Sequence, residues 1–151
     1  MKTAEKEKNK FTNLEKVYFP QLGLTKGDVI SYYEKIAPYI LPYLKDRPQS
    51  LNRHPNGIHK PHFFQKNFPQ KTPPFIKKFT RTSESKKEKV HYLIADNKDA
   101  LLYIINLGCI EINPWTSRRP KINYPDFKYL SMGMTSTSES MWCFPQKSNI
   151  S

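Results

Sequence analysis

Between Asp46 and Glu84 the chain carries no acidic residue, and eight cations fall in that stretch: Arg47, Arg53, Lys60, Lys66, Lys71, Lys77, Lys78 and Arg81. They hold two-thirds of the formal net charge of +12. Phe63, Phe64, Phe68, Phe75 and Phe79 are interleaved with them. Basic side chains neutralise phosphates and release counterions, which gives salt-dependent binding that tolerates any base sequence. Exposed rings stack on unpaired bases, at about 1–3 kcal/mol each. The pattern suits a surface that holds a nucleic-acid end or a single-stranded segment. A solvated basic face over buried phenylalanines has the same composition, and the charge run alone leaves both open. Phe63 and Phe64 are adjacent, and neighbours on a strand point to opposite faces. At least one of these rings has to leave the core side or lie under a loop.

Other residue types invite other chemistry. His54, His59 and His62 fall within nine residues. No cysteine or carboxylate accompanies them, and their spacing matches no common ligand pattern. Phosphate or base contact, or plain exposure, is expected of them, and no metal site. Lys26 opens a helical pattern, where free N–H groups and the helix dipole attract an anion. A lysine is disfavoured by the dipole at that end. A bound phosphate would resolve the conflict; a solvated lysine is the plain alternative. Cys109 and Cys143 lie 34 positions apart and form neither a disulfide framework nor a zinc knuckle, so a reduced, cytosolic chain is expected.

The elements that would position these residues fit one domain of 151 residues. Hydrophobic content is lean at 37%, yet 20 aromatic residues argue against a wholly disordered chain. No apolar run approaches the roughly 18–20 residues that span a bilayer. The opening MKTAEKEKNK lacks the apolar core of a signal peptide. Neither membrane insertion nor secretion is expected, and the compartment is cytoplasmic. Residues 1–12 read as a disordered basic tail, and 14–20 as a strand. Thr25 is an N-cap with Asp28 as its capping-box partner. Val29, Tyr33, Ile36, Ala37, Ile40, Leu41 and Leu44 then make one apolar helical stripe. Pro38 and Pro42 predict a kink or break, with about three turns before it and a shorter piece after.

Residues 49–55 and 62–67 predict a hairpin about Asn56-Gly57, and 77–82 with 89–95 a second one. Asp96 would cap a helix carrying Leu101, Leu102, Ile104, Ile105 and Leu107, stopped by Gly108. Residues 109–115 alternate as a strand. Six of the ten residues 131–140 are Ser or Thr, a composition of linkers. The fold class is α+β, with short strands and two main helices.

Several ordered segments resemble one family. KVYFPQLGLTKGDVISYYEKIAPYILPYLKDRPQSLNRHPNG (16–57), FFQKN (63–67), LGCIEINPWTSR (107–118) and PDF (125–127) are similar to the N-terminal part of the polymerase domain of bacterial DNA ligase D. That domain belongs to the archaeo-eukaryotic primase superfamily. The resemblance covers roughly residues 13–130. It implies a nucleotidyltransferase that fills gaps at broken DNA ends during non-homologous end joining. It further implies Mn or Mg and a nucleoside triphosphate as cofactors of the complete domain, and Ku and a ligase domain as partners. By the same resemblance, Lys16 and Lys26 hold the 5′-phosphate of the downstream strand. Phe63 and Phe64 abut the template base where the strand bends, and Arg53 and Lys66 lie near the template backbone.

The chain also departs from the family. Ser131 and Gly133 stand where the family carries the two metal-binding aspartates of an Asp-Leu-Asp-Pro segment. Two-metal phosphoryl transfer needs clustered carboxylates, and a hydroxyl and a hydrogen cannot replace them. Asn113 stands where the family usually has a histidine near the incoming triphosphate. The family's later Ser-Gly-x-x-Gly-x-His segment is not reached. The expectation is a truncated domain with a non-homologous, disordered tail over 131–151. It would bind DNA ends or gaps without catalysis alone, with no catalytic residue, metal or cofactor of its own. Two alternatives stand beside it: an active gap-filling polymerase completed by a separately encoded C-terminal part, and a generic basic RNA-binding protein.

Overall fold

The computed structural model describes residues 10–83 and 87–126. A short hairpin comes first, β1 (Val17–Phe19) with β2 (Leu24–Thr25). Thr25 ends the hairpin and caps α1 (Lys26–Leu44). The capping box forms as the sequence predicts: the Thr25 amide donates to Asp28 Oδ2 at 2.8 Å, and the Asp28 amide donates to Thr25 Oγ1 at 3.3 Å. The stripe then buries Val29, Ile30, Tyr33, Ala37 and Leu44. The expected break at Pro38 does not occur. Helix α1 runs through both prolines over 19 residues. The carbonyls that lose an intrahelical partner belong to Glu34 and Pro38, which are exposed residues that water can reach.

After α1 the chain enters two three-stranded sheets in quick succession. Strand β3 (Pro48–Gln49) pairs with β7 (Lys89–Ile94), and β7 pairs with β6 (Lys77–Thr82). Strand β4 (Leu51–Arg53) lies one residue beyond β3 but is the centre of the other sheet, between β5 (Phe63–Gln65) and β8 (Cys109–Glu111). The β6–β7 hairpin matches the sequence expectation, in register from Lys77↔Ile94 to Thr82↔Lys89. The first hairpin differs. Its closing pair is Arg53↔Phe63, so a nine-residue loop, 54–62, replaces a two-residue turn at Asn56-Gly57. Tertiary contact decides this: the Ile58 amide donates to Tyr18 O at 3.1 Å and docks the loop on β1. Gly57 has φ +97, and a Cβ there would meet Val17 O at 3.0 Å and Tyr18 O at 3.1 Å.

Helix α2 (Lys98–Asn106) is capped by Asn97, whose side chain accepts from the Ala100 amide at 2.8 Å. Asp96, the expected cap, instead accepts from the Asp46 amide and from Lys77 Nζ, each at 2.8 Å. Gly108, at φ +90, ends the helix as expected. Leu101, Leu102, Ile104 and Ile105 of α2 join Leu51, Leu93 and the α1 stripe in one core. The Tyr33 hydroxyl donates to Ile110 O at 2.8 Å and ties α1 to β8; burial, with smaller contributions from neighbouring groups, pushes its pKa up to about 12.

The result is the expected α+β architecture of two helices and small sheets. No helix among the described residues is long and apolar enough to cross a membrane. Most of the expected 1–12 tail lies outside the described residues. Phe11 packs on the core, and the Thr12 amide donates to Asn106 Oδ1 at 3.1 Å. The tail expected over 131–151 lies wholly outside them.

Candidate nucleic-acid interface

The structure divides the cations into two kinds. Arg47–Asp126, Arg118–Asp126, Arg119–Asp46, Lys77–Asp96 and Lys98–Glu34 are ion pairs between 2.7 and 3.1 Å. Arg47, the first cation of the basic run, is 0% exposed and also donates to Tyr43 O and Trp115 O. It fastens the 115–126 segment to the end of α1 and is structural.

Lys16, Lys26 and Arg53 differ. Lys16 Nζ donates to Pro55 O and Asn56 Oδ1, each at 3.0 Å. Lys26 Nζ donates to Thr12 O at 2.7 Å. Arg53 donates from Nε to Leu107 O and from Nη1 to Gln65 Oε1, each at 2.7 Å. All these acceptors are neutral, so three positive charges are held in place without being cancelled. They also feel one another. Burial first, then Lys16 and Arg53, hold Lys26 below the ordinary lysine range. An arriving anion relieves that repulsion.

Lys16 and Lys26 are brought together by the β1–β2 hairpin, because the Lys26 amide donates to Lys16 O at 2.8 Å. The same bond corrects one sequence argument. The amides at the start of α1 are not free to cradle an anion: Gly27 donates to Leu14 O at 2.8 Å and Asp28 to Thr25 Oγ1. Lys26 itself is 4% exposed. What this corner offers an anion is side-chain charge, chiefly that of Lys16.

Beside these charges lies the β5 edge. Phe63 and Phe64 are 46% and 63% exposed, since β5 is an outer strand whose two faces both lie beyond the core. The Arg53 guanidinium lies 5.1 Å from the Phe63 ring centroid. On the other side His62 meets Phe64 edge-on at 6.2 Å and stacks on His54 at 4.8 Å. Lys66, just after β5, is half-buried. The remaining phenylalanines of the basic run are not part of this face. Phe68 is in the core, Phe75 packs on Tyr103, and Phe79 packs on Trp115.

Sequence reasoning missed the His54–His62 stack and the buried Asn52 beneath it. The three histidines were visible; which two would meet was set by the nine-residue loop. Asn113 accepts from the Ser50 amide at 3.0 Å, and its Nδ2 is buried with no partner among the described residues. Among the described residues no group of three or more His, Cys, Asp or Glu is placed to hold a metal ion, and positions 131 and 133 lie outside them. Burial pushes the Cys109 thiol up to about 12, which makes it a poor nucleophile.

A family model of the LigD primase-polymerase domain matches residues 25–131. The multifunctional non-homologous end joining DNA repair protein LigD of Mycobacterium tuberculosis is 31% identical over 113 residues, covering 75% of this chain and 15% of that protein. The bifunctional non-homologous end joining protein LigD of Bacillus subtilis is 33% identical over 117 residues, covering 75% and 18%. The chain thus spans less than a fifth of these relatives. Among solved structures, the polymerase domain of Mycobacterium tuberculosis ligase D in complex with DNA superposes with a TM-score of 0.69 at 30% identity, covering 74% of this chain and 38% of that one.

Proposed function

Because this chain belongs to the LigD primase-polymerase domain family, we propose that it binds DNA ends and gaps in non-homologous end joining. Lys16 receives the 5′-phosphate of the downstream strand, and the buried Lys26 adds positive charge behind it. Phe63 and Phe64 stack on unpaired template bases, while Arg53 and Lys66 face the template backbone. The observation that carries this reading is the grouping of Lys16, Lys26 and Arg53, bonded among the described residues to neutral acceptors, with Arg53 against the exposed Phe63 ring of the β5 edge. The solved relative's complex with DNA supports the same ligand class.

Nucleotidyl transfer is a separate matter. With Ser131 and Gly133 at the family's aspartate positions, this chain alone lacks the carboxylates that hold Mn or Mg beside a nucleoside triphosphate. It supplies DNA binding, and Ku and a ligase domain are the partners that this placement in end joining implies.

Two assays test the proposal. The purified chain binds a gapped duplex with a downstream 5′-phosphate more tightly than the same duplex without it, and Lys16→Glu abolishes the difference. Indifference to the phosphate in the wild type overturns the reading in favour of generic basic RNA or DNA binding. Incubation of a gapped duplex with Mn and ribonucleotides gives no extension; metal-dependent extension by the pure chain overturns the non-catalytic part alone.

A further inference from the structure

Asn52 lies in β4, nearly buried, and its Nδ2 donates to Glu111 Oε1 on β8 at 2.8 Å. A carboxylate only accepts, so the amide nitrogen faces β8 and Oδ1 faces His62. His62 Nδ1 lies 2.9 Å from that oxygen and must carry a hydrogen to bond with it. A chain of three groups, Glu111 to Asn52 to His62, therefore decides the tautomer of an exposed histidine. The lone pair of neutral His62 sits on Nε2, which has no partner among the described residues. The ring is braced by the His54 stack and the Phe64 edge.

The groups around His62 come from every strand of this sheet. Glu111 of β8 is the negative charge, standing behind Asn52. His54, just after β4, has Nδ1 buried without a partner among the described residues, and burial followed by His62 lowers its proton affinity. Phe64 of β5 carries no charge, and Arg53 of β4 turns its guanidinium to Phe63 and Gln65 instead. The open lone pair in this cluster is therefore Nε2 of His62.

We propose that His62 is a further DNA contact, which takes a proton from solvent at Nε2 when a backbone phosphate docks beside Phe64. This rests on the DNA-binding reading above. A DNA backbone offers only acceptors, so a neutral Nε2 would meet it lone pair to lone pair. Protonation forms an N–H donor and a positive charge, with Glu111 placed behind to balance it through Asn52. No bond in the protein breaks, and the proton returns to solvent when DNA leaves. DNA affinity therefore rises as pH falls across the imidazole range.

The full chain is titrated with a gapped duplex at constant ionic strength from about pH 8 to about pH 6. Wild type tightens by roughly three- to tenfold, as expected for uptake of up to one proton. His62→Gln shows no tightening across that range, whatever its affinity near pH 8. His59→Gln, whose ring bonds to Gln21 away from this stack, keeps the wild-type profile. Nitrogen chemical shifts of His62 in the free protein report the Nδ1–H form at about pH 8, a readout independent of DNA. A flat wild-type profile, an unchanged slope in His62→Gln, or an Nε2–H tautomer overturns the inference while leaving salt-dependent DNA binding intact. Absence of DNA binding at any pH overturns both.

Discussion

Replacing Phe64 with alanine removes a ring that is 63% exposed and whose aromatic neighbour is the edge of His62. Little core is lost, so stability should change by no more than about 0.5 kcal/mol. If the ring stacks on an unpaired template base, binding loses about 1–3 kcal/mol. That is a rise in Kd of roughly 5- to 150-fold. Phe63→Ala should cost binding similarly and also remove the cation–π contact with Arg53, about 0.5–1 kcal/mol at such a site. Arg53 stays tethered to Leu107 O and Gln65, so the backbone contact persists. Fluorescence anisotropy with a gapped duplex reads the loss, and a fully paired blunt duplex is the comparison. Stacking needs an unpaired base, so Phe64→Ala should leave blunt-duplex binding nearly unchanged. A folded Phe64→Ala that binds the gapped duplex within about twofold of wild type refutes the stacking argument.

Lys16→Gln should flatten the dependence of log Kd on log salt by about 0.7–0.9 for the one phosphate lost; an unchanged slope removes Lys16 from the interface. Gly57→Ala forces a side chain into φ +97 and against two carbonyls, so urea denaturation should show a loss of about 1–3 kcal/mol. Wild-type stability there means that the loop does not dock on β1. Arg47→Met should lower stability by about 1–3 kcal/mol, because Asp126 can rehydrate but Trp115 O and Tyr43 O lose their donor; an unchanged denaturation midpoint contradicts the structural role. Desolvation raises the Asp126 pKa, but hydrogen bonds from Arg47 and Arg118 outweigh it and hold the carboxyl below its ordinary value. A carboxyl with a depressed folded-state pKa stabilises above its unfolded pKa and loses that contribution as pH falls through the folded value. Acid melting curves should therefore show a smaller drop in Tm below about pH 4 for Asp126→Asn than for wild type; equal drops count against the pairing.

Information within a few residues was readable from the chain. The Thr25/Asp28 capping box, the α1 stripe, the β6–β7 hairpin and the Gly108 stop each depend on neighbours whose spacing is fixed by helix or strand geometry. So was the exposure of at least one ring of the Phe63–Phe64 pair, because alternation on a strand is local. The two prolines misled because their cost depends on whether water reaches the orphaned carbonyls, and that is settled by which side of α1 faces the core. Asp96 misled for a similar reason: its carboxylate was claimed by Asp46 and Lys77, leaving the cap to Asn97.

Tertiary structure decided which charges are spent. Arg47 and Arg53 look alike in the basic run, yet Arg47 meets a carboxylate 79 positions away, while the partners of Arg53 among the described residues are a carbonyl oxygen, an amide oxygen and the Phe63 ring. Lys16 and Lys26 become neighbours only when β1 and β2 pair, and His54 finds His62 only because the 54–62 loop docks on β1. Composition records how much charge a chain has. Coulomb energy depends on separation and burial, and long-range strand pairing sets both.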